Sequence, residues 1–221
     1  MLKADLHLHA GEDKHHKIKY SSKELIAHAV KQGFEVLALT FHGDVYYNND
    51  LKKYAEKKGV LLIPGVEKLV EGKEVLLYNV SQSESKEIKT FEDIRALKKR
   101  KKDILVIAPH PYFVVGPCLG KTLIENIDVF DGVEYSHFYL LFFNLNKKAN
   151  RVAKKYNKTL IGTSDAHNLK QIGMTYGLVD SEKNIKSFFE AVRKGKVKLE
   201  TKPVSLWYFI WRTFRMVLDI E

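Results

Sequence analysis

The sequence predicts an α/β fold, a barrel or wound sheet of seven strands. Seven short apolar, β-branched-rich segments recur along the chain, and stretches of helical period separate most of them. The strand segments are 3–8, 35–40, 60–66, 74–80, 104–108, 129–134 and 159–162, and the helical ones are 22–32, 51–58, 91–101, 142–156 and 183–194. Thr90 and Ser181 precede acidic residues and read as N-caps, whereas Ser22 is followed three residues later by Leu25 instead of a glutamate. Glu71-Gly72-Lys73 is too short for a crossover, so the third and fourth strands pair as an antiparallel hairpin. No repeat or linker is evident. Residues 1–203 read as one barrel domain and 204–221 as a C-terminal amphipathic helix.

The chain of 221 residues is long enough for one domain with an ample core. Its formal charge of +10 favours anionic partners, whether phosphorylated metabolites, nucleic acid or lipid headgroups, without choosing among them. The lone Cys118 cannot form an internal disulfide, which points to a reducing, cytoplasmic setting. With no base evident beside it, Cys118 reads as a packing or loop residue. The charged opening MLKADLHLHAG reads as mature protein instead of a signal peptide, and no run of about twenty apolar residues suggests a membrane span. The basic run 98–102 closes a helix and reads as a solvated face.

Histidines and carboxylates fall at strand ends. His7 and His9 lie two apart on the first strand and share a face. His42 follows the second strand, Glu67 ends the third, His110 follows the fifth, and Asp165 and His167 follow the seventh. In a barrel of parallel strands these ends form one rim, so the residues converge. Imidazole with carboxylate and no thiolate suits zinc, manganese or iron better than magnesium or calcium. His137, after the sixth strand, lies on the same rim and reads as either a phosphate contact or a structural residue.

DLHLHA, ELIAHAVKQGFEVLALTFH, LIPGVE, APHP and GTSDAH, in this order, resemble the motifs of the polymerase and histidinol phosphatase (PHP) family over about residues 3–168. The resemblance implies a distorted seven-stranded β/α barrel and a phosphoesterase with two or three divalent metal ions, using a metal-bridging hydroxide. It implies that His7, His9, Glu67 and Asp165 hold the first ion, that Glu67 bridges to a second on His110, and that His42 and His167 hold a third. Glu67, Asp165 and His167 then belong to the catalytic centre. Either Asp165 or a metal-held water protonates the leaving group.

The chain departs from the family pattern in two places. Glu74 stands where a histidine usually opens the strand after the hairpin; it either substitutes as an oxygen ligand or leaves the second site weakened. In GEDKHHKIKYSS the remaining ligand of the third site is His16 by its distance to the helix start, with His15 next and Asp13 as a further alternative. Phe41, where a polar residue is common, reshapes the pocket.

A small phosphorylated metabolite or nucleotide is the leading substrate class. A nuclease acting on DNA or RNA ends is the alternative, and a metal-binding scaffold that has lost activity is a third reading. In the tail, Trp207, Ile210, Trp211, Phe214 and Val217 repeat at helical spacing, with Arg212 and Arg215 off the stripe. That face packs on its own domain, on a second copy in a homo-oligomer, or on a membrane surface.

Overall fold

The computed structural model describes residues 1–114 and 116–217, with the side chains of 215–217 outside that description. The side chains of Val217, on the predicted tail stripe, and of Arg215, off it, therefore lie outside the description, as do residues 218–221. Among those described, nine strands and eight α-helices form a mixed α/β fold. The strands are β1 (Leu2–Leu8), β2 (Val36–Leu39), β3 (Leu61–Val70), β4 (Lys73–Tyr78), β5 (Leu105–Ala108), β6 (Gly132–Ser136), β7 (Thr159–Thr163), β8 (Thr175–Val179) and β9 (Val197–Thr201). Their order in one sheet is β7-β6-β5-β4-β3-β2-β1-β8-β9. The first seven match the predicted segments, but the count of seven is corrected to nine. β8 runs antiparallel to β1, and β9 antiparallel to β8. The hairpin of β3 and β4 is antiparallel as expected, and so is the β4–β5 pair.

The sheet curls until its ends meet. Leu8 bridges Ala166 in parallel just beyond β7, with His9 N–H donating to Ala166 O at 3.2 Å. Farther down, β7 presses on β8 and β9: a Cβ on Gly162 would lie 2.5 Å from Leu199 Cδ1 and 2.7 Å from the Tyr176 carbonyl. Glycine is required there because the backbones approach so closely.

The helices are α1 (Ser22–Lys31), α2 (Asn49–Lys57), α3 (Gln82–Glu87), α4 (Phe91–Arg100), α5 (Thr122–Glu125), α6 (Asn146–Lys155), α7 (Ile185–Arg193) and α8 (Leu206–Val217). Ser21, not Ser22, caps α1 in a capping box with Glu24, and Asn184, not Ser181, caps α7. Thr90 caps α4, with Asp93 completing the box. The helix expected from 142 begins only at Asn146. Its buried side chain bonds both the N–H and the carbonyl of Ser136, which leaves 142–145 as a loop. The basic run is not simply solvated: Lys98 pairs with Asp131, Arg100 with Glu87 and Lys101 with Glu84.

Inward-facing Ala4, Leu6, Val36, Ile63, Ile107 and Ile161 fill the lower barrel, and Phe188 and Phe189 of α7 close it from below. Tyr78 is wholly buried among them and donates its hydroxyl to Leu6 O at 2.8 Å. Separate apolar clusters seat α1 and α2 on one outer face, and α4 and α6 on another. Chemistry is confined to the upper end, where the strands finish.

Candidate metal centre

A break in the β1 register aims the first two histidines. Asp5 pairs with Leu37 and Leu8 with Leu39, so β1 spends three residues where β2 spends two. Asp5 and Leu8 thus share the outer face, and His7 and His9 turn inward with no loss of the ladder on either side. Both are fully buried.

Around them the predicted residues converge. His7 Nε2 lies 3.2 Å from Glu67 Oε2 and 3.4 Å from Asp165 Oδ1, and His9 Nε2 lies 3.4 and 3.5 Å from the same two oxygens. His42 Nε2 is 3.3 Å from Glu67 Oε2, whereas His110 Nε2 is 3.4 Å from the other oxygen, Oε1. The His16 ring stands 4.6 Å from that of His42 and 4.5 Å from that of His167, while His15 lies farther out, 5.6 Å from His42. Glu74 reaches the edge of the cluster, 3.9 Å from His110 Nε2. Cys118, expected only to pack, has its sulfur 3.5 Å from His110 Nδ1. Phe41 is buried and stacks on Tyr46.

The donor set fits a divalent cation. Bonds of about 2.0–2.1 Å to a tetrahedral zinc separate its ligand atoms by about 3.3 Å, close to the spacing among His7, His9, Glu67 and Asp165. His9 Nε2 and Glu67 Oε1 are buried polar atoms with no hydrogen-bond partner, a costly arrangement that a cation between them removes. Several donor trios overlap here, among them His7–His9–Glu67, His9–Asp165–His167 and Glu74–His110–Cys118.

Two buried carboxylates hold the histidines from behind. Glu134 on β6 faces His7 Nδ1 with both oxygens, at 3.3 and 3.4 Å; it also accepts from His110 N at 2.7 Å and from the Thr163 hydroxyl. Asp13 Oδ2 takes Nδ1 of both His9 and His42 at 2.9 Å, leaving each Nε2 directed at Glu67. Such outer carboxylates fix tautomer and ring orientation in metal sites. Sequence reasoning missed Glu134, although an acid within the apolar strand DGVEYS was a usable signal. His137 is buried, with Nε2 3.3 Å from Gln171 Nε2. Burial lowers its pKa to about 4, which keeps the ring neutral.

Charge is concentrated here. Burial opposes the proton on His7, but Glu67, Asp165 and Glu134 overcome it and hold the pKa well above the ordinary value. On His9 the bonds to Asp13 and Asp165 likewise outweigh burial and raise it to about 9. Burial works against ionisation of Glu67 and Asp165 too, yet the facing histidines hold both well below the carboxylate range. Glu74 is pushed up to about 7, by burial and then by Glu67. His110 and Asp165 both have positive φ, 22° and 45°, a backbone cost more often met at functional positions. The mouth is formed by the partly exposed His42, Asp165, His167 and His110.

Comparison with known proteins agrees with this arrangement. A family model described as PHP-associated matches residues 144–197. An uncharacterized protein of Methanocaldococcus jannaschii is 30% identical over 146 residues, covering 62% of this chain and 83% of that protein. Among solved structures, PsfC from Pseudomonas syringae aligns with a TM-score of 0.65 at 13% identity, over 99% of this chain and 98% of its own. A proposed metal-dependent phosphoesterase from Bifidobacterium adolescentis aligns with a TM-score of 0.55 at 13% identity, over 75% and 87%. At such identities these two likenesses speak for the fold alone. Taken with the ordered motifs from DLHLHA to GTSDAH, now seen to meet at one end of the barrel, the sequence matches place this chain in the polymerase and histidinol phosphatase (PHP) family.

Proposed function

We propose that the chain is a metal-dependent phosphoesterase with two or three divalent ions, acting on a small phosphorylated metabolite or nucleotide. The observation that carries this reading is the spacing of 3.2–3.5 Å among donor atoms of His7, His9, Glu67 and Asp165, with His9 Nε2 and Glu67 Oε1 buried and without a hydrogen bond. His7, His9, Glu67 and Asp165 form the first site. Glu67 turns Oε2 to that site and Oε1 to His110, the posture of a bridging carboxylate, with Glu74 the oxygen donor at the second site. His16, between His42 and His167, completes the third.

Ions held by these residues would supply a water nucleophile at neutral pH and would neutralise charge on the phosphoryl oxygens. The chain's own part is to orient and to exclude water. Glu134 and Asp13 lock the imidazoles, and the apolar floor under Tyr78 seals the barrel from below. The partly exposed His42 and His167 form the rim over which substrate enters. Asp165 is held ionised by the facing histidines, which suits coordination. The basic groove of Lys98, Lys99, Lys101, Lys102 and Arg193 lies beside the start of β5, at the end of the barrel away from this mouth, and favours a small substrate over a nucleic-acid track.

The test is hydrolysis of an aryl phosphate monoester and diester by metal-stripped protein reconstituted with manganese, zinc or iron. Activity that requires metal and disappears in both His9→Ala and Asp165→Asn is expected. Metal binding without turnover of either ester would replace the enzyme by a scaffold.

A further inference from the structure

Helix α8 carries a surface that the metal centre does not use. Two of its residues anchor it: the Tyr208 hydroxyl accepts from Gln171 Nε2 at 3.0 Å, and Phe209 stacks on Phe138 with ring centres 4.5 Å apart and planes 9° apart. The other large apolar side chains described on it face solvent. Trp207 is 81% exposed, and Ile210, Trp211 and Phe214 are at least half exposed. Beside them the loop after β6 presents Leu141, 82% exposed, and Phe142, 75% exposed. Loop and helix form one patch, joined by Phe143 against Phe209 and by Val204 N–H donating to Tyr139 O at 2.9 Å. An apolar patch of this size marks an interaction site.

Charge identifies the occupant. No acidic residue occurs between 135 and 164 or between 201 and 218. Helix α6 follows the apolar loop directly; it bears Lys147, Lys148, Arg151, Lys154 and Lys155, all exposed, and no acid. Lys170 and Lys202 line a groove of about 470 Å³ with Tyr208 at the start of α8. Two copies of so cationic a face repel each other. An anionic bilayer accommodates both features, taking the indole and phenyl rings at the acyl boundary and the lysines among lipid phosphates. No described helix is long and apolar enough to cross a membrane, so α8 would lie in its plane.

The geometry points to α8 and the 138–143 loop as a docking face for the surface of an anionic phospholipid membrane. A row of aromatic rings leads from that face to the metal centre: Phe209 on Phe138, Phe138 at 6.3 Å from Phe113, and Phe113 at 6.1 Å from His110. Docking therefore sets the mouth of the centre beside the lipid headgroups. Binding to lipid is independent of the hydrolytic reading and is measured separately from it.

Both tryptophans of the chain, Trp207 and Trp211, lie on α8, so selectively excited tryptophan emission reports this helix. Metal-loaded protein is titrated with vesicles of phosphatidylcholine, or of an equal mixture with phosphatidylglycerol, and co-sedimentation is measured in parallel. Blue-shifted emission and sedimentation with the mixed vesicles only, both weakened by salt, are expected. Trp207→Glu combined with Phe142→Glu should weaken binding by at least about tenfold. Lys147→Glu with Lys148→Glu should weaken it while leaving α8 untouched, which covers the case that the first variant misfolds. The proposal is overturned by unchanged emission with mixed vesicles, by equal binding to neutral ones, or by full binding in both variants. A stable dimer that shields the indoles before lipid is added, and that does not bind vesicles, would assign the face to a second copy.

Discussion

Replacing Glu134 by glutamine removes one negative charge from behind His7 with almost no change of shape. The carboxylate makes four contacts with three partners: His7 Nδ1 on both oxygens, the His110 amide and the Thr163 hydroxyl. Glutamine can keep its oxygen on the His110 N–H and offer its amide to Thr163, whose hydroxyl rotates to accept. The loss then falls mainly on His7, where a charge-assisted hydrogen bond, worth about 1.5–3 kcal/mol, becomes a neutral one of about 1 kcal/mol. The difference of about 0.5–2 kcal/mol is roughly a 2- to 30-fold change in an equilibrium constant. Its upper part overlaps the range of about 10–100-fold seen when outer partners of metal ligands are lost. Metal affinity measured by competition with a chromogenic chelator should fall by that amount, while circular dichroism shows the fold retained. Thr163→Val, which removes only the hydroxyl partner, should change affinity much less. A folded Glu134→Gln protein with wild-type metal affinity would refute the claim that Glu134 orients His7.

Asp13→Ala frees Nδ1 of both His9 and His42, and elemental analysis should then find at least one fewer bound ion per chain than in wild type. Metal binding should release protons at pH 7, because metal-free His9 is protonated up to about 9 and coordinates only as the neutral ring. Affinity therefore falls as pH drops below that value. Titration calorimetry in two buffers of different ionisation heat measures the protons released, and zero release at pH 7 would contradict the assignment. Gly162→Ala places a methyl group against the Tyr176 carbonyl and Leu199, and should lower stability by about 1–3 kcal/mol in urea unfolding. Unchanged stability would mean that β7 does not meet β8 and β9 as described.

Much of the candidate centre could be read from residue types placed at strand ends. His7, His9, His42, Glu67, His110, Asp165 and His167 were chosen because apolar, β-branched-rich runs marked the strands, and the chemistry-bearing residues fell at or just beyond the ends of those runs. The same local logic failed where a residue's role depends on a distant segment. Asn146 shortens α6 because its side chain binds the backbone of Ser136, and nothing in the helical period of 142–156 announces that contact. β8 and β9 escaped notice because β8 carries Gly177, and β9 alternates apolar residues with Lys198 and Glu200, which pair with each other at 2.6 Å on its exposed face.

By itself the sequence determined the first seven strands, the hairpin and most of the donors, since each follows from local periodicity and side-chain chemistry. Only the tertiary structure decided how those donors are used. The extra residue in β1 turns His7 and His9 into the barrel. The bridge from Leu8 to Ala166 brings the first and last motifs together. Glu134 acquires its role only because closure buries it against His7 and His110, and Asp13, four residues from His9, reaches His42 only because β1 and β2 pair. These are long-range contacts, and their geometry depends on the closed sheet as a whole, which no local window of sequence contains.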